Sequence, residues 1–224
     1  MRVQRIAWSH TARAPLWPAA IITAVVAMPA NGARIRSANP THPTARPLVT
    51  ALPRRIHQAL ATHATAVMQH LGQHAQDPQQ RFTAQNTANL FDAAVVIAPR
   101  NTAASAPLHL LFVATQPNVN SYARTLVIAE EGSALTFIED YVALTDGAYL
   151  TNSVTELAIG ANAQVHHVRL QRESLQAFHI ARCALTQAQD SHYHSISIAL
   201  GAEISRLDIT AQLRGTGVHC ALDG

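Results

Sequence analysis

The chain has 224 residues, 48% of them hydrophobic and 13% charged, so it is too apolar for a disordered protein and long enough to fold without disulfide bonds. All 16 basic residues are arginine, and eight of them lie in residues 1–55, which contain no acid. Residues 56–224 carry the other eight arginines and all 13 acids. A mildly acidic body with 5% aromatic residues excludes the basic, aromatic surface of a nucleic-acid-binding protein.

Residues 1–50 form an arginine-bearing leader and a proline-rich linker. Within the leader, the apolar segment 19–28 precedes Ala30-Asn31-Gly32, which resembles a signal-peptide cleavage site. Three interpretations of residues 1–32 stay open: a secretory signal, an organelle transit peptide, and a short apolar strand between linkers. Prolines interrupt the segment and it is too short to span a bilayer, so we expect no stable membrane insertion.

The two cysteines bear on the compartment. Cys183 and Cys220 are 37 residues apart and specify neither a disulfide framework nor a zinc knuckle. A reducing compartment fits this usage. We therefore expect a cytoplasmic protein, unless residues 1–32 direct export or import into an organelle.

Residues 51–80 are predicted to form a short helical region. Apolar residues recur at helical spacing, and Gly72 is a natural stop; they are Ile56, Leu60, Val67 and Leu71. His70 and His74 lie four residues apart, a spacing at which two imidazoles can bind one metal ion. No nearby acid or cysteine completes such a site, so a polar helix face is the favoured interpretation.

From Phe91 onward the sequence predicts short strands separated by glycine-containing turns, and no further helix is required. The predicted strands are 93–98, 108–115, 125–129, 135–141, 154–159, 165–170, 178–185, 194–200, 204–213 and 218–222. Recurrent strand, glycine turn and strand favour a mainly β fold of stacked coils, a β-solenoid. A β-sandwich is the alternative that the same strand lengths allow.

A longer-range signal comes from stretches that follow one another in a fixed order. They are FTAQNTA (82–88), PLHLLFV (107–113), RTLVIAEEG (124–132), YLTNSVTE (149–156), HVRLQRE (167–173) and FHI (178–180). Together they make the chain resemble the SufB/SufD family, scaffold proteins of the SUF system for iron–sulfur cluster assembly. Of the two subfamilies, the chain is more similar to SufD.

The resemblance implies a right-handed parallel β-helix over residues 81–224, preceded by the helical and linker regions. It also implies a non-enzymatic scaffold whose partners are a SufB-like paralogue and a SufC-like ABC ATPase. The family's cluster-related cysteine and histidine positions lie further toward the C-terminus than this sequence reaches, so none is carried over. We expect no cofactor to be bound stably by this chain alone, and an iron–sulfur cluster only transiently in the complex.

The sequence departs from the family pattern at several points. Asp92-Ala93 stands where the family has Asp-Gly, and Pro99-Arg100-Asn101 stands where a Pro-x-Gly turn is usual, so we expect altered turns there. Residues 1–50 match poorly. The sequence stops inside a repeat at Gly224, which indicates a fragment or a truncated gene product.

The weak metal-ligand candidates are His192, His194 and Cys220, near Asp190. Alternation along a strand places the two histidines on one face, and the cysteine lies about one coil away. Imidazole and thiolate suit iron or iron–sulfur species, which keeps a histidine-rich metal-binding module open as an alternative function. A solvated strand face is the favoured interpretation.

Enzymatic alternatives have less support. The chain has no Gly-x-Ser-x-Gly elbow and no lysine for a Walker motif. Glu139 and Glu156 could be paired acids of a secreted polysaccharide-acting β-helix. The simpler interpretation makes Asn152 and Glu156 a polar turn that caps successive coils, Arg169 a partner in pairing across coils, and Cys183 a small buried hydrophobe.

Overall fold

The computed structural model describes residues 22–28, 34–37, 54–76 and 80–224, so the predictions for most of residues 1–50 lie outside the described residues. Two helices, α1 (Ile56–His70) and α2 (Arg81–Ala88), precede the main run of strands. The strands are β1 (Ile22–Met28), β2 (Arg34–Ser37), β3 (Arg54–Arg55), β4 (Ala94–Ala98), β5 (Leu108–Ala114), β6 (Asn120–Ala129), β7 (Ala134–Ala143), β8 (Leu150–Ile159), β9 (Gln164–Arg172), β10 (Phe178–Gln187), β11 (His192–Ala199), β12 (Ile204–Leu213) and β13 (His219–Asp223).

From β4 onward the strands alternate between two sheets and form a β-solenoid of about five turns. Sheet A has the order β13-β11-β9-β7-β5-β1-β2, and sheet B has the order β12-β10-β8-β6-β4-β3. From β4 to β13, strands of successive coils pair in parallel. This pairing excludes the sandwich, which is built from antiparallel sheets, and confirms the predicted solenoid.

The inward side chains of the first coil make an ordinary apolar core. In β5, Leu108, Leu110 and Phe112 are buried at alternate positions, as the pleat of a strand requires. The ring of Phe112 stacks on that of Tyr141 in the next coil, with centroids 4.6 Å apart. Parallel pairing repeats such contacts from coil to coil, so each coil covers the apolar residues of its neighbour.

One corner of the solenoid repeats a left-handed backbone position in every coil. The five residues at this corner have φ between 53° and 68°; they are Asn101, Gly132, Asn162, Asp190 and Gly217. Asparagine, aspartate and glycine are the residues that accept this conformation at low cost. Asn101 therefore has φ in the same range as the equivalent residues of the later coils, although it is not a glycine.

The helices pack on the outer face of sheet B. Helix α1 buries Ala59 and Val67 against Val95, Leu126 and Ile128, which confirms the predicted helix and its apolar face. Helix α2 was not predicted from the sequence. Neither helix in the described ranges is long and apolar enough to cross a membrane.

Candidate functional site

Ionisable side chains fill the interior of the middle coils, where an apolar core would be expected. We call five of them the lumen cluster: Glu139, His167, Arg169, Glu173 and His179. All five are buried, with at most 5% of each residue exposed to solvent. Strand pairing places Glu139 beside Arg169 in adjacent coils, so the cluster is assembled by the stacking of the solenoid.

Glu139 is the hub of the lumen cluster. Its carboxylate accepts hydrogen bonds from Thr125 Oγ1 at 2.7 Å, Thr155 Oγ1 at 2.9 Å and Arg169 Nη1 at 3.0 Å. His167 Nε2 donates a further bond at 3.2 Å. Burial by itself raises the pKa of Glu139, but the hydrogen bonds and charges of His167 and Arg169 outweigh it and lower the pKa to about 2. Glu139 is therefore a carboxylate at every physiological pH.

Arg169 links the two halves of the cluster. Besides Glu139, its guanidinium donates to Ser153 Oγ at 2.8 Å and to His179 Nε2 at 2.6 Å, and it lies 4.6 Å from the centre of the Tyr141 ring. Burial opposes its charge, but Tyr141 and Glu139 outweigh that and raise the pKa of Arg169. The arginine is thus a permanent cation with its donors directed at specific acceptors.

Glu173 and His179 form the second half. His179 Nδ1 donates to Glu173 Oε2 at 2.5 Å, and Thr151 Oγ1 donates to Glu173 Oε1 at 2.5 Å. Burial lowers the pKa of His179 more than Glu173 raises it, which fits an imidazole whose Nε2 accepts from Arg169. Burial raises the pKa of Glu173, but the bonds from His179 and Thr151 outweigh it, so the pKa is lowered.

Cys183 lies at the end of this network but is not activated by it. The Tyr193 hydroxyl is 2.9 Å from His167 Nδ1 and 3.7 Å from the Cys183 sulfur. Burial raises the pKa of the Cys183 thiol to about 12, so it stays protonated and is a poor nucleophile. The prediction that Cys183 is a small buried hydrophobe is confirmed. The donors and acceptors of the lumen cluster bind each other across neighbouring coils. The cluster can therefore hold those coils in register and keep its buried charges in fixed positions.

A second buried ion pair holds the helices to the outer face of sheet B. Arg124 and Glu156 pair directly, and Arg124 Nη1 also donates to Asn86 Oδ1 at 3.1 Å in α2. The Glu156 carboxylate accepts the backbone N–H groups of Gly72 and His74, both at 2.9 Å. Glu156 therefore holds the segment that follows α1 against the solenoid.

This arrangement corrects the interpretation of Asn152 and Glu156 as a turn that caps successive coils. Both residues lie within strand β8 and face the helices; Asn152 Nδ2 donates to the Phe82 carbonyl at 2.8 Å. Glu139 is engaged in the lumen and Glu156 on the outer face, so the two do not form the acid pair of a glycosidase.

The structure separates the three weak metal-ligand candidates. His192 and His194 lie on the outer face of β11, whereas Cys220 pairs in register with Tyr193 and packs against the interior core. His70 and His74 are stacked, with Nδ1 and Nε2 3.2 Å apart. Within the described residues, no group of three His, Cys, Asp or Glu side chains is already arranged to hold a metal ion.

The comparisons with known proteins agree with the fold. The family model for the SUF system FeS cluster assembly SufBD core domain matches residues 112–224, half of the chain. The chain belongs to the SufBD family. This confirms the resemblance drawn from the sequence and places the chain in a family of iron–sulfur cluster assembly. The lumen cluster lies within the matched residues.

The chain aligns with only part of the length of its curated relatives. The chain is 38% identical over 159 residues to a SufBD family iron–sulfur cluster assembly protein of Synechocystis. This aligned region covers 66% of the chain and 35% of the relative. The chain is 33% identical over 98 residues to the iron–sulfur cluster assembly protein SufD of Escherichia coli, covering 44% of this chain and 23% of that protein. The chain therefore spans about a third or less of these relatives.

Proposed function

We propose that the chain is the coil-forming part of a SufD-like scaffold subunit in iron–sulfur cluster assembly. The observation that carries the proposal is the parallel solenoid of the SufBD core. Buried ion pairs stabilise its interior, and the described residues there include no activated nucleophile. The Cys183 thiol is protonated, and the Glu139 carboxylate is fully hydrogen-bonded. The role is non-enzymatic and cytoplasmic. The two free cysteines support the assignment to a reducing compartment.

The partners that we propose are a SufB-like paralogue and a SufC-like ABC ATPase. In the described residues, Ile204 and Leu213 of β12 and Leu222 of β13 are 51%, 55% and 48% exposed. An exposed strand edge with apolar residues is a site onto which a further β-layer packs, from a partner or from more of the same protein. A cluster then belongs to the assembled complex and is held there only transiently.

Affinity capture of the endogenous protein from its own cells, followed by mass spectrometry, tests the proposal. We expect a SufB-like subunit and an ABC ATPase to be recovered with it in comparable amounts. Ile204→Arg should reduce recovery of the SufB-like subunit, while Met68→Arg, a matched change at an exposed position of α1, should not. Recovery of the protein alone under gentle conditions would contradict the scaffold role.

A further inference from the structure

Four histidines meet on the outer face of sheet A, away from the lumen cluster. They are His166 on β9, His192 and His194 on β11, and His219 on β13, and we call them the histidine face. Strand pairing sets His194 beside His166 and His192 beside His219. The ring centroids are 5.8 Å apart in the first pair and 5.7 Å apart in the second.

The backbone brings these imidazoles within reach of one ion. Alternate residues of a strand are about 7 Å apart and neighbouring strands about 4.8 Å apart, distances that an imidazole side chain can bridge from each side. All four histidines line one open cavity of about 410 Å³. In the present rotamers no three of them surround a single point. His166, His192 and His219 are exposed, so their side chains are free to rotate toward a shared ligand.

An acidic residue is placed to orient one of the rings. His194 Nε2 lies 2.7 Å from Asp223 Oδ2, so the ring donates its Nε2 proton to the carboxylate. Nδ1 of His194 is then the nitrogen available to a metal. A carboxylate behind a histidine is the usual outer partner of a metal-binding imidazole, because it fixes the tautomer and increases the basicity of the ligand.

We propose that His192 and His194, with His166 or His219 as the third ligand, bind a divalent transition-metal ion of the zinc type. Three imidazoles are a known zinc ligand set that leaves a fourth position to water. Cys220 has no part in this site, because it faces the interior. The site is open to solvent, so a bound ion would exchange readily.

The test uses the full chain after treatment with a chelator, titrated with Zn²⁺ in competition with a chromophoric chelator. We expect one Zn²⁺ per chain and a loss of affinity of more than about 100-fold in the double variant His192→Ala, His194→Ala, since it removes two ligands. Asp223→Asn should weaken binding about 10-fold. Single His166→Ala and His219→Ala variants identify the third ligand.

His57→Ala and His63→Ala are the matched controls, since both histidines are exposed on α1. They should leave Zn²⁺ affinity unchanged, and circular dichroism should show that all variants fold alike. Absence of Zn²⁺ binding, or equal binding by the double variant and the controls, overturns the site. The titration needs no partner protein, so its outcome is independent of the capture experiment for the scaffold role.

Discussion

The first and second coils treat the same interior positions in opposite ways. Leu110 in β5 pairs in register with Glu139 in β7, and Glu139 pairs with Arg169 in β9. Leu110 packs in the apolar core, whereas Glu139 and Arg169 depend on each other and on fixed hydroxyl groups. An apolar position needs only volume, but a buried charge needs particular partners at particular distances. The middle coils are therefore much less tolerant of change than the first coil.

The largest expected difference in the free energy of unfolding is between near-isosteric substitutions of Glu139, in the charged interior, and of Leu110, in the apolar interior. Glu139→Gln leaves the Arg169 cation without its counter-charge and should lower the free energy of unfolding by about 3–5 kcal/mol. Leu110→Met should lower it by less than about 1.5 kcal/mol, because volume is nearly conserved. Urea unfolding followed by circular dichroism measures both. Equal losses would show that the charged coils are no more specific than the apolar one.

Acid should also weaken the lumen cluster, and His70 of α1 and His74 after it, whose pKa values burial also lowers, add to the loss of stability through histidine. The pKa of Glu139 and of Glu173 is lower in the folded protein than the ordinary value, and burial lowers that of His179. A lowered folded pKa contributes stability above the unfolded pKa and loses it as the pH falls. We expect stability to fall first below about pH 6.5 through the histidine and further below about pH 4.5 through the carboxylates.

The reference for this titration is Glu139→Gln, in which the carboxylate step should shrink while the histidine step remains. Thermal unfolding at a series of pH values would follow both steps. A stability that is constant from pH 7 to pH 3 would be inconsistent with ionised groups in the interior.

A smaller effect is expected from a single hydroxyl of the cluster. Thr155→Val keeps the shape of the side chain but removes the donor to Glu139, which should cost about 1.5–3 kcal/mol, the range for a hydrogen bond to a charged group. Thr136→Val, at a half-buried outward position of β7, is the control and should change stability by about 0.5 kcal/mol or less. Denaturant midpoints distinguish the two.

The smallest effect concerns Cys183, which we expect to be inert. Its raised pKa and full burial predict that a thiol reagent labels Cys220, which is half-buried, well before Cys183. Intact-mass spectrometry after brief labelling of the native chain would show one adduct. Equal labelling of both cysteines would mean that the interior opens readily.

The strands and helix α1 could be predicted because their patterns are local. Alternation from Leu108 to Phe112 marks a strand, and the spacing of Ile56, Leu60 and Val67 marks a helix. Helix α2 was missed because its apolar spacing is weak. Its segment carries Phe82 at 42% exposure, and it is held by Asn86, which donates to the carbonyl oxygens of Ala123 and Asn152.

The lumen cluster could not be predicted because alternation does not say which face is inside. The sequence predicts that Arg169 pairs across coils, and it does so, with Glu139. It is buried, however, so the low energy expected of an exposed pair does not apply. The available signal was the coil spacing, which sets Leu110, Glu139 and Arg169 in one inward column.

The two corners of the solenoid differ in how much the length of the connection between strands varies. The corner with the left-handed residues spans four residues in each middle coil: 130–133, 160–163 and 188–191. The opposite corner spans 144–149, 173–177 and 200–203, with a different length each time. One added residue at the corner with the left-handed residues would place an unsuitable side chain at the position of positive φ. It would also shift the next strand by one residue, so that its inward side chains would face outward. The first corner keeps its length only in the middle coils, because it spans 99–107 in the first coil and 214–218 in the last. Within the middle coils, new loops, and with them new binding surfaces, are therefore expected along the opposite corner.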